Sequence, residues 1–165
     1  MRYNLFLPAP LDDNFGHPKR REETLKSFRL DPGYSYLLFF GLIRAFAHER
    51  LKQYPLKFVI AGEYYTDAKP YKELIEKHKL HDRVIEHNDF IPYHAVADYL
   101  CAADLIVQPY EDAPQSGFMQ IAYHFNKSML VTDLGGLAEI VPYGKGGNVV
   151  KPDPVEIAAG IEDFF

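Results

Sequence analysis

The sequence predicts a three-layer, Rossmann-like α/β fold with a central, mainly parallel sheet of six strands. Three observations carry this expectation. From Tyr36 onward, short β-branched or aromatic runs alternate with longer amphipathic stretches, the pattern of repeated βα units. The runs around Ile60, Val107 and Val131 are almost continuously apolar, as strands covered by helices on both faces should be. At 165 residues the chain fits one domain large enough to bury a real core.

Residues 1–35 read as a lead-in segment packing on the domain, punctuated by Pro8, Pro10, Gly16 and Pro18, with a short charged helix over 20–30. The domain itself runs over 36–165. Strands are expected at 36–41, 57–61, 83–86, 104–108, 129–132 and 148–150, with helices at 45–53, 68–79, 93–102, 117–125, 137–141 and 154–164. In the second of these helices Tyr71, Leu74, Ile75 and His78 recur at three- and four-residue steps and mark the face that packs on the sheet. Asp153 before Pro154 sets the start of the last helix, because a side-chain cap followed by a residue lacking an N–H suits a first turn.

Composition narrows the function. Hydrophobic residues at 47% and charged residues at 25% are globular values. No apolar run approaches the ~20 residues of a membrane span, and Met-Arg-Tyr-Asn-Leu-Phe-Leu-Pro is too weak a start for a secretory signal. A cytoplasmic location is the expectation. A formal net charge of -5 argues against a nucleic-acid surface, which needs a cationic stripe. Cys101 is the one cysteine and lies among apolar neighbours, so it reads as a small buried side chain rather than a reactive thiol. His78, His81, His87 and His94 match no paired helical ligand spacing, and no metal is expected. A phosphate-binding P-loop and a nucleophile elbow are both absent, since Lys145 precedes a strand and Gln115-Ser116-Gly117 lacks the earlier glycine.

In an open parallel sheet, ligands bind at the carboxyl ends of the strands, where strand order reverses. The residues that follow the strands are therefore the candidates: 41–44, 62–65, 88–91, 109–117 and 133–136. The loop ending Gln115-Ser116-Gly117 feeds a helix whose first amides are free and whose dipole end is positive, a setting for a diphosphate, although on the local sequence alone Ser116 reads first as a plain helix cap. Gly41 opens the loop after the first strand and Arg44 follows as a fixed cation suited to phosphate oxygens, or as an ordinary surface charge. Gly135-Gly136 reads first as a tight turn, and Glu63 and Glu139 as sugar-hydroxyl acceptors or solvent-facing carboxylates.

Taken in order, the segments Leu38-Leu-Phe-Phe-Gly-Leu-Ile-Arg44, Phe58-Val-Ile-Ala-Gly-Glu63, Ala102-Ala-Asp-Leu-Ile-Val-Gln-Pro-Tyr110, Gln115-Ser-Gly117 and Val131-Thr-Asp-Leu-Gly-Gly-Leu-Ala-Glu-Ile-Val141 resemble the C-terminal, donor-binding domain of group 1, family 4 type retaining glycosyltransferases, bacterial members above all. The resemblance implies one half of a GT-B fold and a nucleoside-diphosphate sugar as donor substrate, with no cofactor or metal. By position, Ser116 and Gly117 would contact the diphosphate, Arg44 would neutralise it, Asn88, Asp89, Phe90 and Ile91 would touch the base, and Gln115 would lie beside the sugar. Where many members carry two glutamates around this loop, this chain has Ala113, Gln120 and Ile121; Gln120 keeps hydrogen bonding to hydroxyls possible.

The implied reaction is hexosyl transfer with retention, for polysaccharide or glycan synthesis. The acceptor-binding N-terminal domain would be the partner, leaving the catalytic residues unassigned and this chain inactive alone, cytoplasmic or attached to a membrane periphery through that domain. Two other readings stand beside it: a stand-alone nucleotide-sugar-sensing module, and a nucleotide-sugar epimerase. The resemblance also implies a Lys-Gly basic loop after Arg44, whereas this sequence runs straight into Ala45. A helix over 45–53 would be only ~13 Å long, so about ten further residues between Arg44 and Ala45 are expected.

Overall fold

The computed structural model describes residues 15–39, 43–62, 67–109, 117–133 and 147–165. Six strands form one sheet: β1 (Ser35–Phe39), β2 (Leu56–Ala61), β3 (Val84–His87), β4 (Leu105–Gln108), β5 (Ser128–Thr132) and β6 (Gly147–Val150), in the order β3-β2-β1-β4-β5-β6. Every neighbouring pair is parallel. Helices α1 (Arg21–Ser27), α2 (Ile43–Phe46), α3 (Lys69–Lys77), α4 (Tyr93–Ala102), α5 (Gly117–His124) and α6 (Pro154–Phe164) cover both faces, with a 3-10 turn at Glu49–Leu51.

Side chains alternate between faces along a strand, and the two cores follow that alternation. Tyr36, Leu38, Val59, Ile106, Met129 and Val131 bury against Leu25 of α1, Leu100 of α4 and Ile121 of α5. Leu37, Phe58, Leu105, Val107 and Leu130 bury against Phe46 of α2, Ile75 of α3 and Ile157 of α6. Helices α1, α3 and α5 end alike, with a non-glycine residue at positive φ (Arg29, Lys79, Asn126) and a bond from the next amide back five residues: Leu30 to Leu25 at 2.8 Å, Leu80 to Ile75 at 2.9 Å and Lys127 to Ala122 at 3.0 Å. This left-handed cap satisfies orphan carbonyls and turns the chain back to the sheet. Asp153 caps α6 as expected, its carboxylate accepting from the Val155 and Glu156 amides. Lys127 Nζ reaches the Ala103 carbonyl at 2.9 Å at the end of α4, where burial pulls its pKa down.

Three expectations are corrected. The helix over 45–53 is replaced by the single turn of α2 and the 3-10 turn, because His48 is extended (φ -64, ψ 141) and interrupts them. The break is held by packing from the turn just before β3: the Arg83 guanidinium lies 4.4 Å from the Phe46 ring centroid and donates to the Leu51 carbonyl at 2.8 Å. Secondly, Arg44 and Ala45 are consecutive inside α2, with the Ala47 amide bonded to the Ile43 carbonyl at 3.1 Å across the junction. No residues intervene, and the absent lysine is a property of this sequence. Thirdly, His78 ends α3 in an exposed position, so the packing face is Tyr71, Leu74 and Ile75 alone. The helix expected at 137–141 lies outside the described residues.

Candidate functional site

Strand order reverses between β1 and β4: the chain moves from β1 outward to β2 and β3, then returns past β1 to β4, β5 and β6. Helices on the two faces diverge there, and the carboxyl ends of β1 and β4 flank the crevice. Arg44 lies in the turn that follows β1. Its neighbours Ile43, Ala45 and Phe46 are buried, which fixes the helix and leaves Arg44 as its exposed side chain. Among the described residues Arg44 has no ion pair. On the other side of the crevice α5 begins at Gly117, with Gln120 partly buried in its first turn and Ile121 and Ala122 anchoring it to the sheet. Gly41, Gln115 and Ser116 lie outside the described residues, as do Glu63, Gly135, Gly136 and Glu139.

The segment 88–91 leaves β3, two strands from β1 or about 10 Å away at ordinary strand spacing. Asn88 and Asp89 are exposed, and Phe90 presents 67% of its surface. Ile91 turns inward against the core formed with α1, α4 and α5. Beneath this segment, His87 Nδ1 sits 2.9 Å from the Tyr99 hydroxyl, and the Phe28 ring packs on Tyr99 at 4.8 Å. Burial raises the Tyr99 pKa, reinforced by the charges of Asp89 and Asp98, so the phenol stays neutral and able to hydrogen-bond. At the end of β2, Gly62 adopts φ +117 with open space around its missing side chain, so the dihedral rather than a close contact demands glycine.

The four histidines are dispersed: His81 pairs with Glu76 at 2.7 Å, His87 with Tyr99, while His78 and His94 are exposed on separate helices. Among the described residues no group of three or more His, Cys, Asp or Glu side chains could hold a metal ion. One polar residue at the crevice escaped the sequence reading. Gln108 ends β4 fully buried, and a polar amide closing the apolar run Leu105-Ile106-Val107 was the signal that pointed to it.

Residues 39–165 match the family described as glycosyl transferases group 1. The chain belongs to that family. No curated protein matches it. Among solved structures, sucrose-phosphate synthase from Thermosynechococcus elongatus superposes with a TM-score of 0.76 at 21% identity, over 90% of this chain and 40% of that one. The Anabaena protein Alr3699/HepE, solved in complex with UDP-glucose, gives 0.71 at 17% identity, over 87% of this chain and 42% of that one. The C-terminal domain of the group 1 protein LpcC from Francisella tularensis gives 0.74 at 20% identity, with 92% and 85% covered. This group 1 glycosyltransferase chain therefore has the Rossmann-like architecture of a GT-B domain and spans less than half the length of the first two proteins. Among its described residues no helix is long and apolar enough to cross a membrane.

Proposed function

We propose that this glycosyltransferase chain binds the donor, a nucleoside-diphosphate sugar, for hexosyl transfer with retention. The observation that supports the reading is the switch point between β1 and β4: Arg44 is exposed in the helix that follows β1, and α5 is the helix that follows β4. A diphosphate there would meet a fixed guanidinium and free helix amides, the pairing that stabilises a phosphate leaving group without a metal. In this reading Ser116, Gly117 and Gly41 would serve the diphosphate, Gln115 and Gln120 the sugar, and Asn88, Asp89, Phe90 and Ile91 the base. The capture of UDP-glucose by the similarly folded HepE supports this choice of ligand class. Transfer itself requires an acceptor site, which this reading assigns to a separate acceptor-binding domain.

A calorimetric panel of nucleosides, nucleoside diphosphates and their sugars tests the reading. Diphosphates should bind more tightly than nucleosides and should raise the melting temperature, a ligand at ~100 times its Kd adding ~2.7 kcal/mol. EDTA should leave that binding unchanged. Equal affinity for nucleosides and their diphosphates would overturn the assignment.

A further inference from the structure

Gln108 is 0% exposed, and among the described residues neither its side-chain nitrogen nor its side-chain oxygen has a hydrogen-bond partner. The other buried polar atoms in this condition, Arg21 Nε and Asp98 Oδ1, belong to side chains already engaged in ion pairs, with Asp104 at 2.7 Å and Lys19 at 2.6 Å. Gln108 alone of these has nothing to offset its desolvation. A buried amide without partners is destabilising, and a methionine of nearly the same shape would fill the space without that penalty. Such a residue is retained where local stability yields to function.

Its position says which function. Gln108 is registered with Val131 and, by strand alternation, points to the same face as Ile106 and Val131, the face covered by α5. Because β4 and β5 are parallel and α5 connects them, α5 runs antiparallel to both and packs on β5, so it starts at the carboxyl end of the sheet. The unpartnered amide therefore lies at the same end and on the same face of the sheet as the start of α5, on the β4 side of the switch point. We propose that Gln108 is a positioning residue for the diphosphate site: its carboxamide acquires hydrogen bonds when the donor is bound and holds the first turn of α5 in its binding geometry. This rests on the donor-binding reading above.

The test uses the whole chain and whichever of UDP, GDP and ADP binds it most tightly. Gln108→Met should raise the melting temperature of the nucleotide-free protein by about 2–4 °C, yet weaken diphosphate binding about tenfold. A purely structural glutamine would give the reverse pattern: a lower melting temperature with affinity within about twofold of the parent, and that result overturns the proposal. A measurement on the parent protein serves even where the variant does not fold. With glutamine side-chain amides labelled with nitrogen-15, the Gln108 signals should shift and exchange more slowly with solvent on saturation, while those of Gln53, on the far side of the sheet, stay fixed. Binding with unchanged Gln108 signals overturns this inference alone. No binding of any of the three nucleotides by the parent overturns the donor-binding reading and this inference with it.

Discussion

Asp104 and Tyr36 hold each other twice across the boundary between β1 and β4: the Asp104 amide donates to the Tyr36 carbonyl at 2.8 Å, and Asp104 Oδ2 accepts from the Tyr36 amide at 2.8 Å. Arg21 of α1 donates to the same oxygen at 2.7 Å and to the Tyr34 carbonyl at 3.1 Å. The two strands that frame the crevice are thereby locked in register at their amino ends, and α1 is tied to them. Asp104→Ala leaves a half-buried guanidinium without its counter-charge and a strand amide unpartnered, and should destabilise by about 2–3 kcal/mol; Asp104→Asn, which keeps an acceptor, should lose about half of that. Urea midpoints at constant slope give both numbers. A loss under about 0.5 kcal/mol for the alanine variant would show the lock to be redundant.

Arg44 is exposed on a short helix anchored by its neighbours, so its removal should spare the fold and act on the ligand. We expect Arg44→Ala to change the melting temperature little and to weaken nucleoside-diphosphate binding about tenfold at low salt. The gap should narrow in about 0.5 M salt, where the screening length falls below the reach of an exposed pair. Calorimetry at two ionic strengths checks it; a variant that binds like the parent at both would remove Arg44 from the site.

The strands were legible because burial on both faces leaves little room for anything but apolar residues: the expected 104–108 and 129–132 differ from β4 and β5 by a single residue each. The start of α6 was legible from Asp153 and Pro154, whose effects are local. The region after Arg44 was not, because its shape depends on Arg83, which comes from beyond β2 to stack on Phe46 and hold the Leu51 carbonyl. A long-range contact of that kind leaves no periodicity to read. The same holds for the site. The crevice follows from strand order, which alternating βα units imply, whereas the state of Gln108 depends on what does and does not reach it in three dimensions.

Burial raises the pKa of Tyr36, Tyr99 and Tyr123 above the ordinary tyrosine value. The folded chain therefore holds these protons more firmly than the unfolded one, and stability is fully present below about pH 10 and is lost as pH rises through the folded values. Lys127 acts in the opposite sense: burial lowers its pKa, so the penalty of its buried charge lifts as pH rises toward the ordinary lysine value. Lys19, whose pKa is raised by its hydrogen bond and ion pair with Asp98, acts in the same direction as the tyrosines, and we expect a net fall. Melting temperatures from about pH 8 to about pH 11 should decline, and Tyr99→Phe should flatten the decline. A curve that rises over that interval would mean that Lys127 dominates.

Gly160 lies buried in the middle of α6, where alanine is ordinarily the better residue by about 1 kcal/mol. The sheet reverses that preference. A Cβ at this position would stand 2.7 Å from Leu130 Cδ1 and 2.9 Å from Val150 Cγ1, closer than real contacts allow. Leu130 is 1% exposed and Val150 is β-branched with a stiff χ1, so neither side chain yields freely. Overpacking of this kind is destabilising by about 1–3 kcal/mol and outweighs the gain in helix propensity. Gly160→Ala should therefore lower stability by about 1 kcal/mol net, or about 2–4 °C for a chain of this size. The cause is separable from the effect by a double-mutant cycle with Val150→Ala, which opens space on one side of the new methyl group. In that background Gly160→Ala should be less harmful than in the parent, a coupling of about 0.5 kcal/mol or more. Equal effects in the two backgrounds would place the strain on Leu130 alone, and a stabilised single variant would mean that α6 shifts away from the sheet to accept the methyl group.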